Sequence, residues 1–153
     1  MEKIDIILLA EDNPDDVFLM RRALRKAGIT AQLQVTQNGE EAIDYLAGNG
    51  VYADRTLYPK PSIVILDIKM PKKTGLEVLG WLRSNSGLQV IPTVVMSASE
   101  IADDIQASYA LGANTFFVKP SSFDELVRLL SAFENYWSTA KRPAKLPVGP
   151  KQP

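Results

Sequence analysis

Four apolar runs of the sequence are each followed at once by residues whose side chains can do chemistry. These residues are Glu11 and Asp12, Asp67, Ser97, and Lys119. The 153-residue chain contains neither Cys nor His, which excludes thiolate and imidazole nucleophiles, disulfides and Cys or His zinc sites. Any chemistry therefore depends on carboxylates, hydroxyls, lysines and the backbone.

The three acids among these residues indicate a metal site. Carboxylates that share one place repel one another, and a hard dication removes that repulsion. Mg²⁺ prefers oxygen ligands and is held by one or two carboxylates together with water and phosphate oxygens. We expect Glu11, Asp12 and Asp67 to bind Mg²⁺. The backbone carbonyl of Lys69 is expected as a further ligand. The alternative for Glu11 and Asp12 is a solvated acidic turn before a helix, where acids are common.

Asp67, Lys119 and Ser97 together match the needs of phosphoryl transfer. A carboxylate at the end of a buried strand can attack phosphorus and form an acyl phosphate. The Lys119 ammonium suits a phosphoryl oxygen, and the Ser97 hydroxyl can donate to the same group. Each residue also has a structural alternative: Asp67 and Ser97 as turn or helix caps, and Lys119 as a surface side chain. Pro120 can fix the turn after Lys119, with a cis peptide bond as one option.

Hydrophobic periodicity predicts alternating strands and helices that position these residues. Strands are predicted at 4–10, 31–35, 63–66, 92–96 and 115–118. Helices are predicted to begin after Asn13 and Asn38, to cover 75–83 and about 102–109, and to begin after Ser122, where Ser122 and Glu125 match a capping box. Five such units predict an α/β fold with a doubly wound, five-stranded parallel sheet. Ligands bind beyond the carboxyl ends of such strands, which is where the polar residues lie.

The sequence resembles the receiver domain of bacterial two-component response regulators. The resemblance runs from about residue 4 to 137 and is carried by these segments: Glu11-Asp12-Asn13, Leu66-Asp67-Ile68-Lys69-Met70-Pro71, Gly75, Val95-Met96-Ser97-Ala98, Gly112-Ala113 and Phe117-Val118-Lys119-Pro120. Ser97 lies 30 positions after Asp67, and Lys119 lies 22 positions after Ser97; both intervals are similar to those of the family. The resemblance implies a flavodoxin-like (βα)5 fold with strand order 2-1-3-4-5.

The resemblance also implies a role for each matching residue. Asp67 is expected to be the phosphoacceptor, and Glu11 and Asp12 are expected to be the metal-binding pair. Lys119 is expected to pair with the phosphate, and Ser97 is expected to provide the switch hydroxyl. Phe116 stands where the family places a switch aromatic, and it lacks the hydroxyl of a Tyr. Lys69 and Ser99, which flank Asp67 and Ser97 by two positions, are the expected control points for loss of the phosphoryl group.

The implied function is a phosphoacceptor switch that catalyses only its own phosphotransfer and slow autodephosphorylation. A sensor histidine kinase presents phosphohistidine, and Asp67 takes the phosphoryl group with Mg²⁺ bound. The phosphoryl oxygens then draw in the Ser97 hydroxyl, and Phe116 fills the space that opens. The face formed by the fourth helix, the last strand and the last helix changes shape, and a downstream protein target binds.

A homodimer through that same face is a candidate. The last helix carries Val127, Leu129 and Tyr136 away from its main apolar stripe. The alternative is a helix that is buried more widely against its own domain.

Two features depart from a minimal receiver domain. The segment at about 48–61 is long for a connection, and Asp15 and Asp16 follow Asn13-Pro14. Both features are similar to those of the small regulators that are paired with phytochrome-type sensor kinases.

We expect a receiver domain at 1–140 and a Pro-rich, basic tail at 141–153.

Composition limits the partners and the location. A net charge of −1, with 17 basic and 18 acidic residues, gives no electrostatic reason to expect direct binding to nucleic acid or an anionic membrane, since both need a basic surface. A local basic patch is compatible with this charge, but no run of Lys and Arg is long enough to indicate one. No apolar run approaches the roughly 20 residues that span a bilayer, and the first residues do not resemble a signal peptide. We therefore expect a cytoplasmic protein.

Three other functions are alternatives for this sequence. One is a receiver-like scaffold that binds its partners constitutively. Another is a phosphatase with an Asp nucleophile, although such enzymes commonly need a second Asp where Lys69 stands. A nucleotide-binding protein is disfavoured because the sequence has no Gly-x-x-x-x-Gly-Lys loop.

Overall fold

Five parallel strands alternate with five α-helices in the computed structural model, which describes residues 5–98 and 100–140. The strands are β1 (Ile6–Ala10), β2 (Gln32–Thr36), β3 (Ile63–Leu66), β4 (Thr93–Ser97) and β5 (Thr115–Val118). The helices are α1 (Pro14–Lys26), α2 (Gly39–Ala47), α3 (Gly75–Ser84), α4 (Ala102–Ala110) and α5 (Phe123–Thr139), with a short 3-10 helix (Gly50–Ala53) before β3. The strands pair in the order β2-β1-β3-β4-β5. This confirms the predicted α/β class and strand order.

The central strands are buried because helices cover both faces of the sheet. All four residues of β3 are buried, so its sequence is apolar throughout rather than alternating. On one face, α2 and α3 pack on a cluster that includes Leu8, Val64 and Leu79. On the other face, α1 and α5 pack on a cluster that includes Ile65 and Trp137. The two cores hold the carboxyl ends of the strands in fixed positions.

The boundary of β4 differs from the prediction by one residue. The sequence predicts a strand at 92–96, whereas β4 covers Thr93–Ser97. Pro92 has no N–H to donate to a strand ladder, and the strand begins after it. Ser97 pairs with Val118, so Ser97 is the last residue of the strand instead of the first residue beyond it.

Side chains cap four of the helices, and in α2 the cap is Asn38, which accepts a hydrogen bond from the backbone N–H of Glu41. Asn13 accepts a hydrogen bond from the first turn of α1. Thr74 forms a complete capping box with Glu77 at the start of α3. Ser122 accepts a bond from the backbone N–H of Glu125, which is the first half of the capping box predicted for α5. The cap on α1 matters most for function, because this helix begins directly after the acidic pair.

The inserted segment at about 48–61 packs against the end of α2. Gly48 ends that helix in the left-handed conformation, with φ of 75°, which suits glycine. The guanidinium of Arg55 donates to the last carbonyls of the helix, those of Tyr45 at 2.8 Å and Leu46 at 3.1 Å. Three tyrosine rings cluster there with centroids 5.0–6.0 Å apart: Tyr45, Tyr52 and Tyr58. The insertion is therefore a packed extension of α2.

Two of the three residues that suggested a second apolar face on α5 are half-buried. Val127 and Leu129 pack against the cluster under α1 and α5, as the alternative of wider burial predicts. Tyr136 is 68% exposed.

The predicted tail at 141–153 lies outside the described residues, so the domain boundary at 140 stays a prediction.

Candidate functional site

The carboxyl ends of β1 and β3 bring two acids side by side. Ala10 pairs with Leu66 in the parallel ladder, and Glu11 and Asp67 are the next residues of the two strands. The backbone N–H of Asp67 donates to the carbonyl of Ala10 at 3.1 Å. Register alone therefore places both carboxylates at one edge of the sheet.

Asp12 joins this pair to form a cluster of three carboxylates. Glu11, Asp12 and Asp67 each offer an oxygen within 4.8 Å of the others. Glu11 and Asp67 are buried, whereas Asp12 is exposed. Burial raises the pKa of Glu11 to about 7; the hydrogen bond from Lys119 opposes this shift and the charge of Asp67 adds to it. The oxygen donors and the exposed side fit Mg²⁺, which keeps several waters.

The side chain of Lys119 reaches into this cluster from the end of β5. Its Nζ lies 2.6 Å from Glu11 Oε1 and 3.2 Å from Asp67 Oδ2. Burial alone lowers the pKa of Lys119, but its hydrogen bonds to Asp16 and Glu11 outweigh that effect and raise the pKa above the usual value. Lys119 is therefore a permanent positive charge beside Asp67. The peptide bond that follows it is trans, unlike the cis option considered for Pro120.

Asp16 is part of the site, although the sequence suggested no role for it there. Its Oδ2 lies 2.8 Å from Lys119 Nζ. Asp16 is the third residue of α1, and the sharp start of this helix after Asn13 turns the carboxylate back toward the sheet edge. The signal that could have found it is the segment Asn13-Pro14-Asp15-Asp16, in which a helix cap and two acids of the first turn closely follow Glu11.

Ser97 and Phe116 occupy the neighbouring strands β4 and β5. Ser97 is 1% exposed, and its carbonyl accepts the backbone N–H of Lys119 at 2.8 Å. Phe116 is half-buried and packs against the cluster under α2 and α3. Its backbone N–H donates to the hydroxyl of Tyr109 on α4 at 3.1 Å. The predicted switch aromatic is thus linked directly to α4.

The loop after β3 brings the start of α3 against Asp67. A Cβ on Gly75 would lie 2.2 Å from the Asp67 carbonyl oxygen, so no larger residue fits without a shift of the backbone. Lys69 is exposed in this loop, and its role as a carbonyl ligand stays a prediction. Ser99 lies outside the described residues.

Comparison with known proteins identifies the family of this fold and site. The model of the response regulator receiver domain matches residues 7–131. The chain belongs to this family. Receiver domains act as phosphoacceptor switches, and their phosphoryl donors are histidine kinases.

Individual relatives cover most of the chain. It is 36% identical over 135 residues to the probable methanogenesis regulatory protein FilR2 of Methanothrix harundinacea, with 86% of this chain and 83% of that protein covered. It is 34% identical over 132 residues to the response regulator Rcp1 of Synechocystis, with 86% and 88% covered. The phosphorylated cyanobacterial phytochrome response regulator RcpA superposes with a TM-score of 0.84 at 35% identity, covering 92% of this chain and 99% of that chain.

A metal-bound structure is among the matches. The Mn²⁺-bound form of Rcp1 superposes with a TM-score of 0.80 at 33% identity, and the match covers 92% of this chain and 99% of that chain.

Within residues 5–98 and 100–140, no helix has the length and apolar character needed to cross a membrane.

Proposed function

We propose that this chain is a cytoplasmic response regulator that a phytochrome-type sensor histidine kinase phosphorylates on Asp67. The observation that carries the proposal is the convergence of one ammonium and three carboxylates at a single edge of the sheet. Lys119 Nζ lies 3.2 Å from Asp67 Oδ2, within the cluster that Glu11 and Asp12 complete. The similarity to Rcp1 and RcpA supports the phytochrome assignment.

Asp67 is the nucleophile in the proposed transfer. One of its carboxylate oxygens attacks the phosphorus of phosphohistidine in line with the leaving nitrogen. The O–P bond forms, the P–N bond breaks, and its electron pair stays on the imidazole of the kinase. Lys119 offers its ammonium to the transferring oxygens. A Mg²⁺ ion held by Glu11, Asp12 and Asp67, with the Lys69 carbonyl as a further ligand, would supply additional positive charge there.

The proposed switch connects the site to the face formed by α4, β5 and α5. The phosphoryl oxygens attract the Ser97 hydroxyl through a charge-assisted bond worth about 1.5–3 kcal/mol. Phe116 then moves toward the space beside β4, and the contact between its backbone and Tyr109 transmits this change to α4. A downstream protein, or a second copy of the chain, binds the altered face. Lys69 and Ser99 set the rate at which water removes the phosphoryl group.

Intact-protein mass after incubation with acetyl phosphate and Mg²⁺ tests the central claim. We expect one phosphoryl adduct that requires Mg²⁺ and is lost in Asp67→Asn. Asp124→Asn is a matched control, because this acid is exposed at the start of α5 and the adduct should persist there. An adduct that survives Asp67→Asn would refute the assignment. No adduct together with no Mg²⁺ binding would favour the constitutive scaffold.

A further inference from the structure

Asp16 contacts the lysine of the site but not the metal cluster. Its Oδ2 lies 2.8 Å from Lys119 Nζ, closer than the 3.2 Å between Lys119 and Asp67. Among the described residues, the carboxylates that can share a metal ion are those of Glu11, Asp12 and Asp67. Within the same part of the chain, Asp16 accepts a hydrogen bond from Lys119 and from no other side chain.

The three N–H bonds of the ammonium each have a carboxylate acceptor. Lys119 donates to Glu11, Asp16 and Asp67. Two of these acceptors, Glu11 and Asp67, belong to the predicted metal ligands. Asp16 lies outside that set, so a bound metal ion would not compete for its oxygens.

We propose that Asp16 is a positioning residue that holds the Lys119 ammonium beside Asp67 for phosphoryl transfer. This proposal rests on the proposed function of the same site. Lysine is a flexible side chain with a compact charge, so its location depends on the partners that hold it. Asp16 suits that task because Asn13 caps the first turn of α1, and sites on capped helices are more precise than sites on loops.

The neighbouring Asp15 provides a matched control. It has the same charge and lies in the same first turn of α1, but it is exposed. In the described part of the chain, the ion pairs join Lys119 to Glu11, Asp16 and Asp67, and Asp15 takes part in none of them. Asp15→Asn therefore removes one negative charge from the first turn of α1, as Asp16→Asn does, but it keeps the contact between Asp16 and Lys119.

NMR of the ¹⁵N-lysine-labelled full chain without metal tests the contact directly. The ammonium signal of Lys119 is assigned by its loss in Lys119→Gln. In Asp16→Asn we expect faster proton exchange with water to broaden this signal. In Asp15→Asn and Asp16→Glu we expect the signal to stay sharp. A merely structural role for Asp16 would not produce this pattern.

Phosphorylation by acetyl phosphate at saturating Mg²⁺ tests the consequence. We expect the rate to fall about fivefold in Asp16→Asn, to change less than about twofold in Asp15→Asn, and to recover in part in Asp16→Glu. The Mg²⁺ affinity of Asp16→Asn should equal that of Asp15→Asn. Equal rates and equal NMR signals in the two variants would overturn the role of Asp16. A wild type that neither becomes phosphorylated nor binds Mg²⁺ would instead overturn the proposed function, and the NMR experiment would still judge the contact.

Discussion

Glu11 and Asp67 are buried carboxylates at the ends of neighbouring strands, and one ammonium contacts both of them. The single positive charge of Lys119 does not balance these two acids together with Asp12 and Asp16. Buried like charges at this spacing disfavour full ionisation. The site therefore carries an excess of negative charge, which suits the divalent cation proposed for it.

Mg²⁺ affinity should rise with pH through the pKa of Glu11. Burial raises that pKa to about 7, so below pH 7 the carboxyl keeps a proton that the metal must displace. Between pH 6 and pH 8 we expect the association constant to increase about tenfold, following the deprotonated fraction. Calorimetry in two buffers of different ionisation enthalpy measures the affinity and the released proton. Glu11→Gln should bind more weakly and without this pH dependence, and a flat profile in the wild type would contradict the prediction.

Arg83 joins three segments at the end of the sheet opposite the site. From α3 it donates to carbonyls of both the loop before β4 and the loop before β5. The acceptors are the carbonyls of Gln89, Ile91 and Gly112 and the side chain of Asn114, at distances of 2.8–3.0 Å. At the scale of elements, Arg83 thus fixes the starts of the two strands whose far ends carry Ser97 and Lys119.

Replacing Arg83 should destabilise the fold. Arg83→Ala removes four hydrogen bonds and leaves the Ile91 carbonyl with the bond from the Thr93 hydroxyl, for which we expect a loss of about 2–4 kcal/mol in the free energy of unfolding. Urea denaturation followed by circular dichroism measures this loss. Arg128→Ala, at an exposed position of α5, is the control and should cost less than about 0.5 kcal/mol. Equal stability of the two variants would show that Arg83 has no linking role.

The molecule as a whole has almost no net charge, −1 over 153 residues, so the negative potential of the site is local. The parallel sheet concentrates it, because every strand ends at the same edge. Metal binding at this edge therefore acts on the folded state alone, since an unfolded chain separates Glu11 from Asp67 by more than fifty residues.

Mg²⁺ should stabilise the whole domain against heat. At a concentration of about 100 times the Kd, linkage predicts a gain of about 2.7 kcal/mol. For a domain of this size that gain corresponds to a rise in Tm of about 5–10 °C. Differential scanning calorimetry measures the shift, with NaCl at equal ionic strength as the control. The shift should be largely lost in Asp12→Asn, whereas a full shift in that variant would remove Asp12 from the metal site.

Local sequence patterns alone determined the fold class and most of the candidate site. The apolar run of β3 and the cap at Asn13 each act over a few neighbouring residues, and parallel pairing then brings the strand ends together. Glu11, Asp67 and Lys119 were placed at one edge of the sheet on this basis, and the structure brings them into contact. The one-residue shift of β4 shows the limit of such patterns, because they do not report which residue of a run pairs with its neighbour.

Only the tertiary structure decided the partner of Lys119 on α1 and the links made by Arg83. Asp16 and Lys119 are 103 positions apart, and their contact depends on how α1 lies across the end of the sheet. That angle results from packing of α1 against α5 and the strands beneath them. Hydrophobic periodicity determines which face of a helix is buried. The direction of a polar side chain in the first turn of that helix depends instead on packing contacts with residues that are far away in the sequence.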